Sequence, residues 1–128
     1  MLRKVALLMG LLILGTHICS FQFVDIDKNS QYVMITVEYA VFQFNEDQED
    51  EFAYKFLRVR KSQQQMFSWI YLIDMELGRT VCKKHDEDID NCPLQEGAGE
   101  KKVRCSFHVD AQPWITQFIL LNSTCVPT

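Results

Sequence analysis

The sequence predicts an α+β domain in which one helix packs against an antiparallel sheet. One segment near the N-terminus carries apolar residues at a helical period, and four later segments alternate as β-strands do. Four cysteines lie beyond an apolar leader, as in small secreted domains held by disulfides. We therefore predict a signal peptide over residues 1–20 and a single domain over residues 21–128.

The leader has the organisation of a secretory signal peptide. Arg3 and Lys4 precede an apolar run from Val5 to Leu14, and small residues follow near Cys19. The run is much shorter than the roughly 20 residues of a membrane span. Its removal would leave 11 basic against 17 acidic residues, a net charge of −6. We expect a secreted, extracellular protein with neither a membrane segment nor a nucleic-acid partner.

The four remaining cysteines predict two disulfides. They are Cys82, Cys92, Cys105 and Cys125. Pairing between neighbours is the simplest arrangement, although spacing alone allows three pairings. Zinc is disfavoured because there is no C-x-x-C pair and because His85 and His108 lack ligand spacing. With no nucleophile–base set, metal cluster or phosphate-binding loop, the sequence predicts neither an enzyme nor a cofactor.

The segment "NSQYVMITVEYAVFQFNE" fits two periods. Its β-branched residues alternate like a strand, but the segment is long and also has one apolar helical face. That face comprises Val33, Val37, Ala40, Val41 and Phe44. We predict a helix of about four turns, capped by Asn29 or Ser30.

The opposite side of this helix carries a second apolar stripe, formed by Ile35, Tyr39 and Phe42. Polar residues are expected there on a solvent-facing helix. Two explanations stay open. Either a curled sheet covers the stripe, or it is an interaction surface, for example for self-association.

The predicted strands cover residues 54–61, 69–77, 103–109 and 115–125, and are joined by hairpins. The first hairpin tip, "QQQMFSW", has no Gly, Asn or Asp to accept a positive φ. The last tip contains Pro113 and Trp114. Either Trp114 folds back onto the edge of the sheet, or it is exposed next to a rigid Pro, which is typical of an interface hot spot. Asn122-Ser123-Thr124 is an N-glycosylation sequon, with Asn122 as the acceptor.

Several of these segments resemble the type 2, secreted cystatins, which inhibit papain-like cysteine proteases of the cathepsin type. The matching segments are "MELGRTVCKK", "DNCP", "CSFHV" and "QPW", together with the final Cys125. The resemblance implies a five-stranded antiparallel sheet wrapped around one long N-terminal helix, with "FQFVDID" as a short first strand. It also implies the disulfides Cys82–Cys92 and Cys105–Cys125.

Family members enter the protease cleft with a flexible N-terminal glycine, a first tip of the form Q-x-V-x-G and a second Pro-Trp tip. The first tip corresponds here to Gln64, Gln65, Met66, Phe67 and Ser68, and the second to Pro113 and Trp114. Only Gln64 matches the first pattern outright. Ser68 replaces the glycine, so we expect backbone strain at Ser68, and no glycine lies between Cys19 and the helix.

These departures resemble those of the reproductive-tract cystatins related to the epididymal spermatogenic protein. Two functions follow from the resemblance. The first is a weakened inhibitor of papain-like proteases that acts mainly through Trp114. The second is a non-inhibitory binding or assembly protein in reproductive secretions, with a role in sperm development or maturation.

Overall fold

The computed structural model describes residues 22–128, so the predicted signal peptide lies outside the described residues. Five strands and one α-helix follow in chain order. They are β1 (Phe23–Asp25), α1 (Gln31–Asp47), β2 (Phe52–Gln65), β3 (Ile70–Lys83), β4 (Lys102–Gln112) and β5 (Gln117–Pro127). Short 3-10 turns occur at Ile89–Asn91, Gly97–Gly99 and Pro113–Ile115. No helix among residues 22–128 is long and apolar enough to span a bilayer.

The strands form one antiparallel sheet in the order β1-β2-β3-β4-β5, so each strand pairs with its neighbours in sequence. This order contains no crossover, although α1 lies in the connection from β1 to β2. The predicted α+β class is confirmed, and so is the expected five-stranded sheet with one long helix.

The helical interpretation of the ambiguous segment is also confirmed. Val33, Val37 and Ala40 of α1 are buried, whereas Glu38 between them is exposed, which is the burial pattern of a helix. Ser30 occupies the N-cap position, but its side chain makes no capping hydrogen bond. The amide of Asn29 instead donates to Asp27 Oδ1 over 2.9 Å.

The core lies between α1 and one face of the sheet. Alternate residues of the two central strands point into it, as the period of a strand requires. They are Tyr71, Ile73, Met75 and Leu77 of β3 and Val103, Cys105, Phe107, Val109 and Ala111 of β4.

β2 curves around the helix. Its pairing with β3 shifts register at three places, between Phe52 and Tyr54, Phe56 and Arg58, and Val59 and Lys61. Such irregularities bend a strand and increase its twist. The bent strand continues to Gln65, four residues beyond the predicted end. The first hairpin tip follows directly after it.

Polar side chains join the end of α1 to the start of β2. The buried Asn45 side chain exchanges two hydrogen bonds with the backbone of Tyr54, over 2.8 and 2.9 Å. Asp50 accepts hydrogen bonds from the Phe52 amide, the Tyr54 hydroxyl and Arg79 Nη1. Burial raises the pKa of Asp50, but these three bonds outweigh it and lower the pKa below its ordinary value. Burial, together with Asp50, raises the pKa of Tyr54 to about 12.

Candidate functional site

Three segments meet at one edge of the molecule. The start of β1 pairs with the end of β2, where Phe23 lies opposite Gln65, and the Met66 amide donates to the Gln22 carbonyl over 2.9 Å. The β2–β3 tip is linked to the end of β4 by a 3.0 Å hydrogen bond from the Ala111 amide to the Trp69 carbonyl. We call residues 64–69 together with Pro113–Ile115 the tip edge.

The first tip contains a four-residue turn from Gln65 to Ser68, closed by a 3.3 Å hydrogen bond from the Ser68 amide to the Gln65 carbonyl. Phe67, at the third position of the turn, has a φ of 59°. A type II turn requires a positive φ at this position and usually has Gly or Asn there. The expectation of strain at Ser68 is therefore wrong, because Phe67 holds the left-handed conformation.

Side chains on both sides of Phe67 support this turn. Gln64 Nε2 donates to the Ser68 carbonyl over 2.9 Å. The Ser68 hydroxyl donates to Gln65 Oε1 over 3.0 Å and accepts from the Ile70 amide over 3.1 Å. These bonds explain the composition of the tip, since glutamine and serine side chains stabilise a conformation that glycine would adopt unaided.

The second tip is a 3-10 turn over Pro113–Ile115, and Thr116 follows it with a φ of 55°. Its Trp114 packs edge-to-face on Trp69 of the first tip, with ring centroids 4.7 Å apart. Tyr32, in the first turn of α1, also packs edge-to-face with Trp114, with ring centroids 5.9 Å apart. Trp69 thus belongs to the candidate site, although the sequence analysis did not assign it a role. Its position at the end of the tip "QQQMFSW", one residue after Ser68, is the available signal.

The tip edge is rich in exposed aromatic residues and carries no charge. Phe67 is 100% exposed, and Trp69 and Trp114 are each about half exposed. No charged residue occurs from Ser62 to Ile73 or from Ala111 to the final Thr128. Interface cores are depleted of charge and enriched in aromatic residues, which is the composition found at this edge.

The comparisons with known proteins agree with this arrangement. A family model described as the cystatin domain matches residues 21–114. The chain belongs to the cystatin family. The family indicated by the sequence motifs is confirmed.

This cystatin is 59% identical to mouse Cystatin-12 over 128 residues, covering 100% of both chains. Among solved structures it resembles dimeric human cystatin F, with a TM-score of 0.74 and 26% identity over 84% of this chain and 87% of that one. Its fold is also similar to mouse fetuin-B in an inhibitory complex with human meprin β. That match has a TM-score of 0.66 and 14% identity, and covers 82% of this chain and 35% of fetuin-B.

Both expected disulfides are present in this cystatin. Cys82 pairs with Cys92 and closes the acidic loop after β3, and Cys105 pairs with Cys125 across β4 and β5. Asn122 is exposed on β5 and lies opposite His108 of β4.

The second stripe of the helix is divided in the structure. Tyr39 stacks on Phe118 of β5 with ring centroids 5.0 Å apart, and Ile35 is partly buried. Phe42 is exposed and lines an open cavity of about 410 Å³ between α1, β2 and the disulfide loop. The curled sheet therefore covers Tyr39 and leaves Phe42 accessible, so the three residues do not form one continuous exposed face.

Proposed function

We propose that this chain is a secreted inhibitor of papain-like cysteine proteases that binds the active-site cleft through its tip edge. The single observation that supports this most strongly is the joined pair of hairpin tips, with Trp69 on Trp114 and exposed apolar surface beside them. An aromatic hot spot held by its neighbours loses little freedom when it binds. The chain acts by occupying the cleft, without catalysis or a cofactor of its own.

We propose further that inhibition is weaker than in cystatins with intact tips. The N-terminal glycine is absent, and the first tip places the fully exposed ring of Phe67 at its point. We assign each departure a loss on the order of 2 kcal/mol of binding free energy, the size that marks a hot-spot contact in an interface. Together they correspond to a loss of roughly 10²–10⁴ in affinity.

The second candidate is a non-inhibitory binding or assembly protein in reproductive secretions, acting in sperm development or maturation. The contacts of Trp114 favour this second candidate. About half of this side chain is covered by the molecule itself, through Trp69 and Tyr32. A Trp that packs within its own chain offers less surface to a protease than a free one.

Titration of the secreted, oxidised protein against papain and a cathepsin separates the two functions. Competitive inhibition of either enzyme, with an inhibition constant weaker than that of an intact cystatin measured in parallel, supports the first. Full protease activity at the highest protein concentration supports the second. Recovery of intact protein after the assay shows that it was not consumed as a substrate.

A further inference from the structure

β5 forms a free edge of the sheet. It pairs with β4 on one side, and no other strand among residues 22–128 pairs with its opposite side. Leu121 and Val126 on this strand are 51% and 52% exposed. Edge strands are usually protected by charged residues against pairing with another chain, but no charged residue follows Asp110 in the sequence.

The two ends of this edge have other protection. Near the start of β5, the amide of Leu120 donates to the hydroxyl of Tyr39 over 3.2 Å. That amide is therefore already bonded to α1 and is not available to a neighbouring strand. At the far end, Pro127 has no amide proton to offer to a neighbouring strand. We call the part between them, residues 121–126, the open segment of β5.

Asn122 lies inside the open segment, next to Leu121. Its partner on β4 is His108, whose neighbours Phe107 and Val109 are buried in the core. Residues directly opposite each other in an antiparallel pair share a face, so Asn122 lies on the outer face, away from the helix. Thr124 completes the sequon and is exposed as well, so the site is accessible to glycosylation.

We propose that Asn122 carries an N-linked glycan that covers the open segment of β5 and prevents two copies of the chain from pairing there. Without the glycan, two copies align their β5 edges antiparallel, since an isologous contact places the same strand on both sides. The inference rests on the proposed secretion, because N-glycans are added in the secretory pathway. It does not depend on protease inhibition.

The test compares three forms of the protein secreted by mammalian cells. Thr124→Val removes the sequon and keeps a β-branched strand residue, whereas Ser123→Ala changes the same strand and keeps the sequon. Sedimentation velocity over a range of concentrations measures association. We expect the wild-type protein and Ser123→Ala to lose mass on glycosidase treatment and to stay monomeric. Thr124→Val should dimerise, with a dissociation constant for the dimer at least about tenfold lower than that of the wild-type protein.

Two further changes, each made in the Thr124→Val background, locate the contact. Leu121→Lys places a charge on the open segment and should restore the monomer. Phe42→Gln removes the exposed aromatic ring of the helix and should leave the dimer intact. Wild-type protein found in the medium without a glycan would overturn the proposal, as would a monomeric Thr124→Val or a dimer abolished by Phe42→Gln. Failure to reach the medium would contradict secretion itself.

Discussion

At the scale of single residues, Phe67 is the least expected feature of the first tip. A non-glycine residue in the left-handed region costs on the order of 1–3 kcal/mol and persists only where its surroundings impose it, and such residues cluster at functional sites. The ring of Phe67 is also fully exposed to solvent. The sequence could show that the tip lacks glycine, but it could not show which residue takes the positive φ, because that depends on the hydrogen bonds of Gln64 and Ser68.

Phe67→Asn should stabilise the protein. Asparagine tolerates the left-handed conformation, and no packing is lost because the Phe67 ring is fully exposed. We expect the free energy of unfolding to rise by about 1 kcal/mol in urea titration. Ser68→Gly is the matched control and should give no gain, since it removes two hydrogen bonds and relieves no strain. A larger gain from Ser68→Gly than from Phe67→Asn would contradict this assignment.

At the scale of elements, the sequence predicted the helix and the order of the strands, but not how the two hairpins meet. Helical spacing identified Val33, Val37 and Ala40, which are buried as expected. The contact between Trp69 and Trp114 depends on the curvature of the sheet, which brings together side chains 45 positions apart in the sequence. The same curvature places Phe118 over Tyr39. No local pattern encodes such curvature.

The two tryptophans should be coupled. A double-mutant cycle with Trp69→Ala and Trp114→Ala should give a coupling free energy of about 0.5–1.5 kcal/mol in unfolding, the range for edge-to-face aromatic pairs. Trp69→Ala should also weaken protease binding, because Trp114 would lose a neighbour that holds its ring. Additive effects of the two single changes on stability would show that the contact between the rings is not energetically significant.

The turn between α1 and β2 should make stability depend on pH. The folded-state pKa of Asp50 lies below its ordinary value of 3.8, so the ionised carboxylate is favoured by folding. Its contribution is present at neutral pH and is lost as the pH falls below about 4 through the folded-state pKa. Asp50→Asn should therefore lower the thermal midpoint at pH 7, and the difference from wild type should shrink in acid. A difference that stays constant down to pH 2 would contradict this role.

At the scale of the whole molecule, the curled sheet and the helix bring three separate segments to one uncharged edge rich in aromatic residues. The sequence motifs indicated the family and the two tips, because Pro113-Trp114 and the cysteine-bearing segments are local signals. They did not indicate how much of Trp114 stays accessible once the chain has folded. The strength of the proposed inhibition depends on that accessible surface.

The most direct test of this account is the inhibition constant for papain of the secreted, oxidised protein, measured beside Trp114→Ala and Phe42→Ala. Trp114 lies on the tip edge, whereas Phe42 is a more exposed aromatic residue on the helix, away from the tips. We predict competitive inhibition that is weak, is lost in Trp114→Ala and is unchanged in Phe42→Ala. Inhibition that survives Trp114→Ala, or no inhibition by the wild-type protein at any concentration, would contradict it.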